Sequence, residues 1–212
     1  MLLTKIGHSC VRLEKDGARL LIDPGVWSGP DQLAGASAIL ITHEHVDHLA
    51  ADVVRSALER NADLELWSTA PVAGRFADFG GRAHTVADGD VFTAAGFEVR
   101  AHGREHAAIL PGLPVVPNVG FLIDANVFHP GDAFTVPPEP VRTLLLPISA
   151  PWLKASEVFG YAGAVGPQVC YGIHDEVLNE NGRGLIYQLG AAALGDGAGR
   201  LIRLNPGTST EV

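Results

Sequence analysis

The stretch His43-Glu44-His45-Val46-Asp47-His48 concentrates four metal-ligating side chains, His43, His45, Asp47 and His48, within six residues. Imidazole nitrogen and carboxylate oxygen are donors for divalent zinc, manganese and iron. The stretch directly follows Ala38-Ile39-Leu40-Ile41, an apolar run that reads as a buried strand. A strand end is rigid, and the loop beyond it can turn several side chains inward. His43 and His45 are two apart and project alike if the chain stays extended. Asp47 and His48 fall at the turn into the next helix and face a second point nearby. Together they suit two divalent ions a few ångströms apart. The bland alternative is a solvated, histidine-rich loop.

The elements that would position this loop follow from apolar spacing. Val11–Glu14 and Arg19–Ile22 flank Lys15-Asp16-Gly17 as a hairpin that stops at Asp23-Pro24-Gly25. Ala51 to Arg60 carries Val53, Val54, Ala57 and Leu58 at helical spacing. Leu64–Trp67 reads as a short strand, and a helix is expected from Thr69 to about Phe79, before Gly80-Gly81. The second half repeats the style. Val91–Thr93 pairs with Phe97–Ala101 as a hairpin, and Gly120–Ile123 pairs with Val127–His129 as another. Thr143–Leu146 is a buried strand, Lys154–Val165 a helix, Val169–Ile173 a strand and Gly184–Leu194 the last helix. Composition supports a mixed α/β domain spanning 1–212, with no linker or low-complexity segment dividing it.

The chain has 212 residues, 47% apolar and 18% charged, enough to bury a sizeable core. Its net charge of −9 disfavours non-specific contact with nucleic acid or an anionic membrane. Two cysteines are too few for a disulfide framework. No long apolar stretch follows Met1-Leu2-Leu3 and none reaches a membrane span, so a cytoplasmic protein is expected.

Thr42-His43-Glu44-His45-Val46-Asp47-His48 resembles the hallmark of the metallo-β-lactamase-fold hydrolases, Thr-His-x-His-x-Asp-His after a buried strand. A later histidine (His106), a Gly-Asp (Gly131-Asp132) and a final histidine at a strand end (His174) follow in the family's order. Gly7-His8-Ser9-Cys10, Leu21-Ile22-Asp23-Pro24 and Asn118-Val119-Gly120-Phe121 look most like the branch containing ascorbate-6-phosphate lactonase and small zinc-dependent hydrolases. The resemblance implies a four-layer αβ/βα sandwich over 1–212, with the metals at one edge of paired sheets. It implies one metal on His43, His45 and His106, a second on Asp47, His48 and His174, and Asp132 bridging them. The ions would be zinc first, with manganese or iron as alternatives. A hydroxide between the two ions would attack an ester, lactone, amide or phosphoester of a small molecule, with Asp47 orienting the water or passing its proton. Two other readings stay open: an iron-dependent oxidoreductase of the persulfide-dioxygenase kind, and a non-catalytic metal-binding protein. Homo-oligomerisation is also left open.

His102 competes with His106, four residues away, and the Gly-x-x-His-Ala setting favours His106. His129 is expected in the core or behind a ligand, and His84 at the surface. His8 either supports the site or substrate, or is a structural histidine. Asp23 either supports a ligating histidine through its ring N–H or merely forms the turn before Pro24. Asp175 either supports a ligating histidine in the same way or caps the turn that follows it. Trp152 would wall the substrate pocket or sit in the core. Lys154 and Arg104 are the nearest cations for an anionic substrate group, and Cys10 and Cys170 read as small buried apolar residues.

Overall fold

Strands that carry apolar residues on both faces need cover on both. In Ala18–Ile22, Leu20 and Ile22 point to one buried layer and Leu21 to another. In Ala38–Ile41, Ala38 and Leu40 face the first layer while Ile39 and Ile41 face the second. The protein answers with four layers. The computed structural model describes residues 1–29, 32–195, 197 and 199–212. Its strands are β1 (Leu2–Gly7), β2 (Cys10–Lys15), β3 (Ala18–Ile22), β4 (Ala38–Ile41), β5 (Glu65–Ser68), β6 (Ala83–Thr85), β7 (Val91–Ala94), β8 (Phe97–His102), β9 (Gly120–Ile123), β10 (Val127–His129), β11 (Thr143–Pro147), β12 (Val169–Ile173), β13 (Arg200–Ile202) and β14 (Ser209–Glu211). The α-helices are α1 (Ala51–Arg60), α2 (Ala70–Gly74), α3 (Ala155–Val165) and α4 (Glu180–Leu194).

One sheet runs β14-β1-β2-β3-β4-β5-β6 and the other β13-β12-β11-β10-β9-β8-β7. Each has an antiparallel half made of hairpins and a parallel half made of crossovers. Their facing sides share one core that includes Leu13, Leu20, Leu40, Phe97, Phe121 and Leu145. α1 and α2 cover the outer face of the first sheet through Val54, Leu58 and Val72. α3 and α4 cover the second through Val158, Tyr161 and Ile186. Among the described residues no helix is long and apolar enough to cross a membrane.

Two helices differ in their bounds from the sequence reading, and β1 is absent from it. The helix expected from Thr69 to Phe79 ends at Gly74, and a 3-10 helix (Ala77–Arg82) follows. Phe76 leaves helical geometry (φ −117°, ψ 18°), its ring is buried, and Arg55 Nη2 donates to the freed Arg75 carbonyl (2.7 Å). The last helix begins at Glu180 rather than Gly184, because the Asn179 side chain caps it by accepting the Gly182 N–H at 2.9 Å. Gly182 and Gly184 hide that start, since glycine is a poor helix former. β6, β13 and β14, three residues each, carry too little pattern to be read.

Lys5 ties the two sheets together. Its buried ammonium donates to Asp175 Oδ1 (2.6 Å) and to the Gly172 carbonyl (3.0 Å), linking β1 to the end of β12. Burial pushes the Lys5 ammonium below its ordinary pKa despite Asp175. Asp175 therefore serves neither reading made of its side chain from sequence. Among the described residues Asp175 is the one carboxylate paired with Lys5, whereas Asp175 also has Arg183 Nε at 3.7 Å. Asp175→Ala is expected to cost about 3–5 kcal/mol, by leaving an unpaired buried cation. Lys5→Met should cost less, and urea unfolding of the two variants checks the order.

Candidate metal centre

The centre lies at the carboxyl ends of parallel strands, where α/β sheets place their ligand crevices. Asp23 directly follows β3, Thr42 and His43 follow β4, Asp132 lies just beyond β10 and His174 directly follows β12. Backbone bonds between the sheets fix the two sets in register. Val119 N–H donates to Thr42 O (3.0 Å), and His174 N–H donates to His8 O (3.1 Å).

All seven residues expected as ligands converge. The ligand atoms of His43, His45 and His106 lie within 4.8 Å of one another, as do those of His43, His48 and Asp132, and those of His8, Asp47, His48 and His174. Asp132 stands between the sets. Its Oδ1 is 3.1 Å from His48 Nε2, and its Oδ2 is 3.3 Å from His106 Nε2 and 3.0 Å from His174 Nε2. Asp47 Oδ2 is 3.4 Å from His174 Nε2 and 3.7 Å from His48 Nε2.

The hydrogen bonds behind the rings set which nitrogen faces inward. Thr42 Oγ1 gives its one proton to Asp23 Oδ2 (2.7 Å), so it accepts from His43 Nδ1 (3.0 Å). His48 Nδ1 donates to Asp23 Oδ2 (2.6 Å), His106 Nδ1 to the Ala107 carbonyl (2.5 Å) and His174 Nδ1 to the Ser149 carbonyl (2.5 Å). Four imidazoles thus commit Nδ1–H to a fixed oxygen and turn Nε2 inward, the arrangement that prepares histidine for a metal. His48 Nε2, His174 Nε2 and Asp132 Oδ1 are buried without a hydrogen-bond partner. Such orphaned atoms are costly unless something else meets them. This donor set fits divalent cations.

His8 has the opposite tautomer. Its Nδ1 accepts the Glu176 N–H (3.3 Å), so Nε2 carries the proton and donates to Asp47 Oδ2 (3.3 Å). Asp23 accepts from Thr42 N–H as well (2.7 Å), so it backs both Thr42 and His48. His8, Asp23 and His174 have φ of 43°, 55° and 61°. Left-handed backbone costs a non-glycine residue of order 1–3 kcal/mol, and its concentration here shows how firmly the fold sets these positions.

Charge follows the geometry. Burial works against charging His48, yet the Asp132 and Asp23 carboxylates hold its pKa well above the ordinary imidazole range. Burial opposes His174 too, and Asp132 prevails, raising it to about 9. Burial would raise Asp132 and Asp47, but the imidazoles hold both below the carboxylate range. His43 is pushed well down by burial and by His48.

The remaining sequence candidates separate cleanly. His102 stays outside the cluster, with Nε2 3.1 Å from Glu139 Oε2. His129 is buried behind it, donating from Nε2 to Ser9 O (2.9 Å) and accepting Gly131 N–H at Nδ1 (3.1 Å). His84 is half-buried and stacked on Trp67 rather than simply at the surface. Trp152 lines the cleft and donates to Asp132 Oδ2 (2.9 Å). Lys154 and Arg104 do not line it. They pair with Glu157 and Asp88 at the surface. Burial pushes both thiols up, Cys170 to about 12, and neither joins the cluster. The cleft of about 470 Å³ is lined by Glu44, Val46, Asp47, Arg75, Ile109, Pro151 and Trp152 among others. Arg75 escaped the sequence reading, because it lies just past α2 with no local signal to mark it.

Residues 2–174 match the family model described as the beta-lactamase superfamily domain. The chain belongs to that superfamily. Over 193 residues it is 39% identical to Protein Rv0786c of Mycobacterium tuberculosis, covering 88% of this chain and 90% of that one. It is 37% identical over 100 residues to a UPF0173 metal-dependent hydrolase of Agrobacterium fabrum, covering 41% of this chain and 42% of the relative. The fold is similar to Igni18, a metallo hydrolase from Ignicoccus hospitalis, with a TM-score of 0.76 at 18% identity over 100% of this chain and 98% of that one. The four-layer metallo-β-lactamase fold expected from the resemblance is the fold observed.

In this superfamily member, His106→Ala is expected to lower bound metal per chain and His102→Ala to leave it unchanged, measured by elemental analysis. Asp23→Ala should weaken metal affinity by about 10–100-fold, because it releases His48 and Thr42 together. Competition with a chromogenic chelator measures it.

Proposed function

We propose that this protein is a metal-dependent hydrolase of small molecules that works with two divalent ions, zinc by preference. The observation that carries the reading is the set of four imidazoles fixed through Nδ1, three of which (His48, His106 and His174) bring Nε2 to within 3.3 Å of the Asp132 carboxylate, while His43 Nε2 faces His45 beside them. His43, His45 and His106 would hold one ion, Asp47, His48 and His174 the other, with Asp132 between them. Superfamily membership supports this, as does the name of the Agrobacterium relative. Bound ions of this kind lower the pKa of a coordinated water and polarise a carbonyl or phosphoryl oxygen.

The chain's own residues do the rest. Trp152 Nε1–H holds Asp132 Oδ2 and keeps the central carboxylate from rotating. His8 Nε2–H holds Asp47 Oδ2 on the cleft wall. Asp47, which like His45 is partly exposed at the cleft, is placed to orient the attacking water as a charged acceptor. Trp152, Pro151 and Ile109 exclude water from one side of the cleft. The protein would work on a soluble substrate, with neither nucleic acid nor membrane as partner.

Protein stripped with a chelator is expected to lose hydrolysis across a panel of esters, lactones, amides and phosphoesters, and to regain it with zinc or manganese. Asp132→Ala should lower metal content and abolish turnover while circular dichroism stays native. Oxygen uptake by iron-loaded protein without hydrolysis would point instead to an oxidoreductase. Stoichiometric metal without turnover would point to a binding protein.

A further inference from the structure

Exposed large apolar side chains are few, and they are not scattered. Among the described residues twelve stand out from the surface, and seven of them lie in segments that border the metal cluster. Val26, Trp27, Val46 and Val177 are 53%, 48%, 64% and 52% exposed. Val26 N–H donates to Val46 O (2.9 Å), which joins two of these segments. Trp27 stands edge-on to His8, with ring centroids 4.7 Å apart, and lines a cavity of about 360 Å³ with Glu176 and Val177. His8 in turn touches both Asp47 and His174. On the segment after His106, Ile109 lines the cleft, and Leu110, Leu113 and Val115 are exposed beyond it. Apolar surface gathered this way around a polar centre marks a ligand-binding face.

The charges at the mouth point the same way. The described cleft lining offers Arg75 as its one Lys or Arg side chain, and Arg75 Nη2 is already 3.3 Å from Glu44 Oε2. Glu176, in the neighbouring cavity, is paired with Arg183 at 3.2 Å. Selecting a phosphate or a free carboxylate calls for a forked, unspent cation, and this lining presents none.

Resting on the hydrolase reading, we infer that the substrate is an uncharged ester or lactone with an apolar arm, and that the arm lies on the ledge formed by Val26, Trp27, Val46 and Val177. Water adds to the carbonyl carbon, the bond to the ester oxygen breaks, and that oxygen leaves with a proton. The products are a carboxylic acid and an alcohol, joined in one molecule if the substrate is a lactone.

The test uses the full chain reconstituted with zinc and p-nitrophenyl esters of acetic, butyric, hexanoic and octanoic acid. It adds the mono-p-nitrophenyl ester of adipic acid, which matches hexanoate in length but ends in a carboxylate, and bis-p-nitrophenyl phosphate. Binding of a long-chain methyl ketone, which cannot be hydrolysed, is read separately from Trp27 fluorescence as the difference between wild type and Trp27→Ala. The expected result is a kcat/KM that climbs by about fourfold per added methylene until the ledge is filled. The adipate ester should fall below hexanoate, and Val177→Ser, at an exposed position, should flatten the climb. A flat series, a preference for the adipate ester, or turnover of the phosphodiester alone overturns the inference and leaves the hydrolase reading standing. Ketone binding without turnover of any substrate overturns the hydrolase reading and supports the ledge. Loss of both overturns both.

Discussion

One buried carboxylate organises the centre. Asp23 accepts from the Thr42 amide, the Thr42 hydroxyl and the His48 ring. Because the Thr42 hydroxyl is spent on Asp23, it can only accept from His43. Two imidazoles therefore take their tautomers from a residue that touches neither of their inward nitrogens. A buried carboxylate needs donors on its oxygens, and the two residues that supply them here belong to the site or adjoin it. Asp23 lies in the left-handed region, so its orientation depends on the strand ends around it rather than on local preference.

The two halves of the chain contribute to the site in different ways. The first supplies a contiguous loop after β4. The second supplies single residues from separate strand ends, beyond β8, β10 and β12. Backbone bonds from Val119 to Thr42 and from His174 to His8 hold these contributions against each other, and the Lys5–Asp175 pair does so one residue further on. An interface between two sheets built on apolar contact alone could slide. These directional bonds sit where sliding would displace His106, Asp132 or His174 from the rest.

This division also explains what could be read from the sequence. His43 to His48 are legible because four donors in six residues after an apolar run have few other uses. His106, Asp132 and His174 have no such local signature, since their meeting depends on sheet order, and they were legible only through family resemblance. The hairpins and parallel strands were legible from turn residues and apolar runs. The break after Gly74 was not, because Phe76 leaves the helix to reach a tertiary contact. Asp175 reads in the sequence as a support for a ligating histidine or a cap, not as the partner of Lys5, because no pattern marks a lysine that will be buried against a residue 170 positions along the chain. Arg75 and Trp27 share that fate.

Gly131 has φ 64°, and any side chain there would begin 2.2 Å from Asn118 Oδ1 and 2.7 Å from Thr42 Cβ. Asn118 grips the same turn from both sides, donating to Pro130 O and accepting from Asp132 N–H. The turn that presents Asp132 therefore has no room in which to drift. A side chain at Gly131 would push apart the turn and the carboxylate it presents in one stroke, which leaves variation to the peripheral loops.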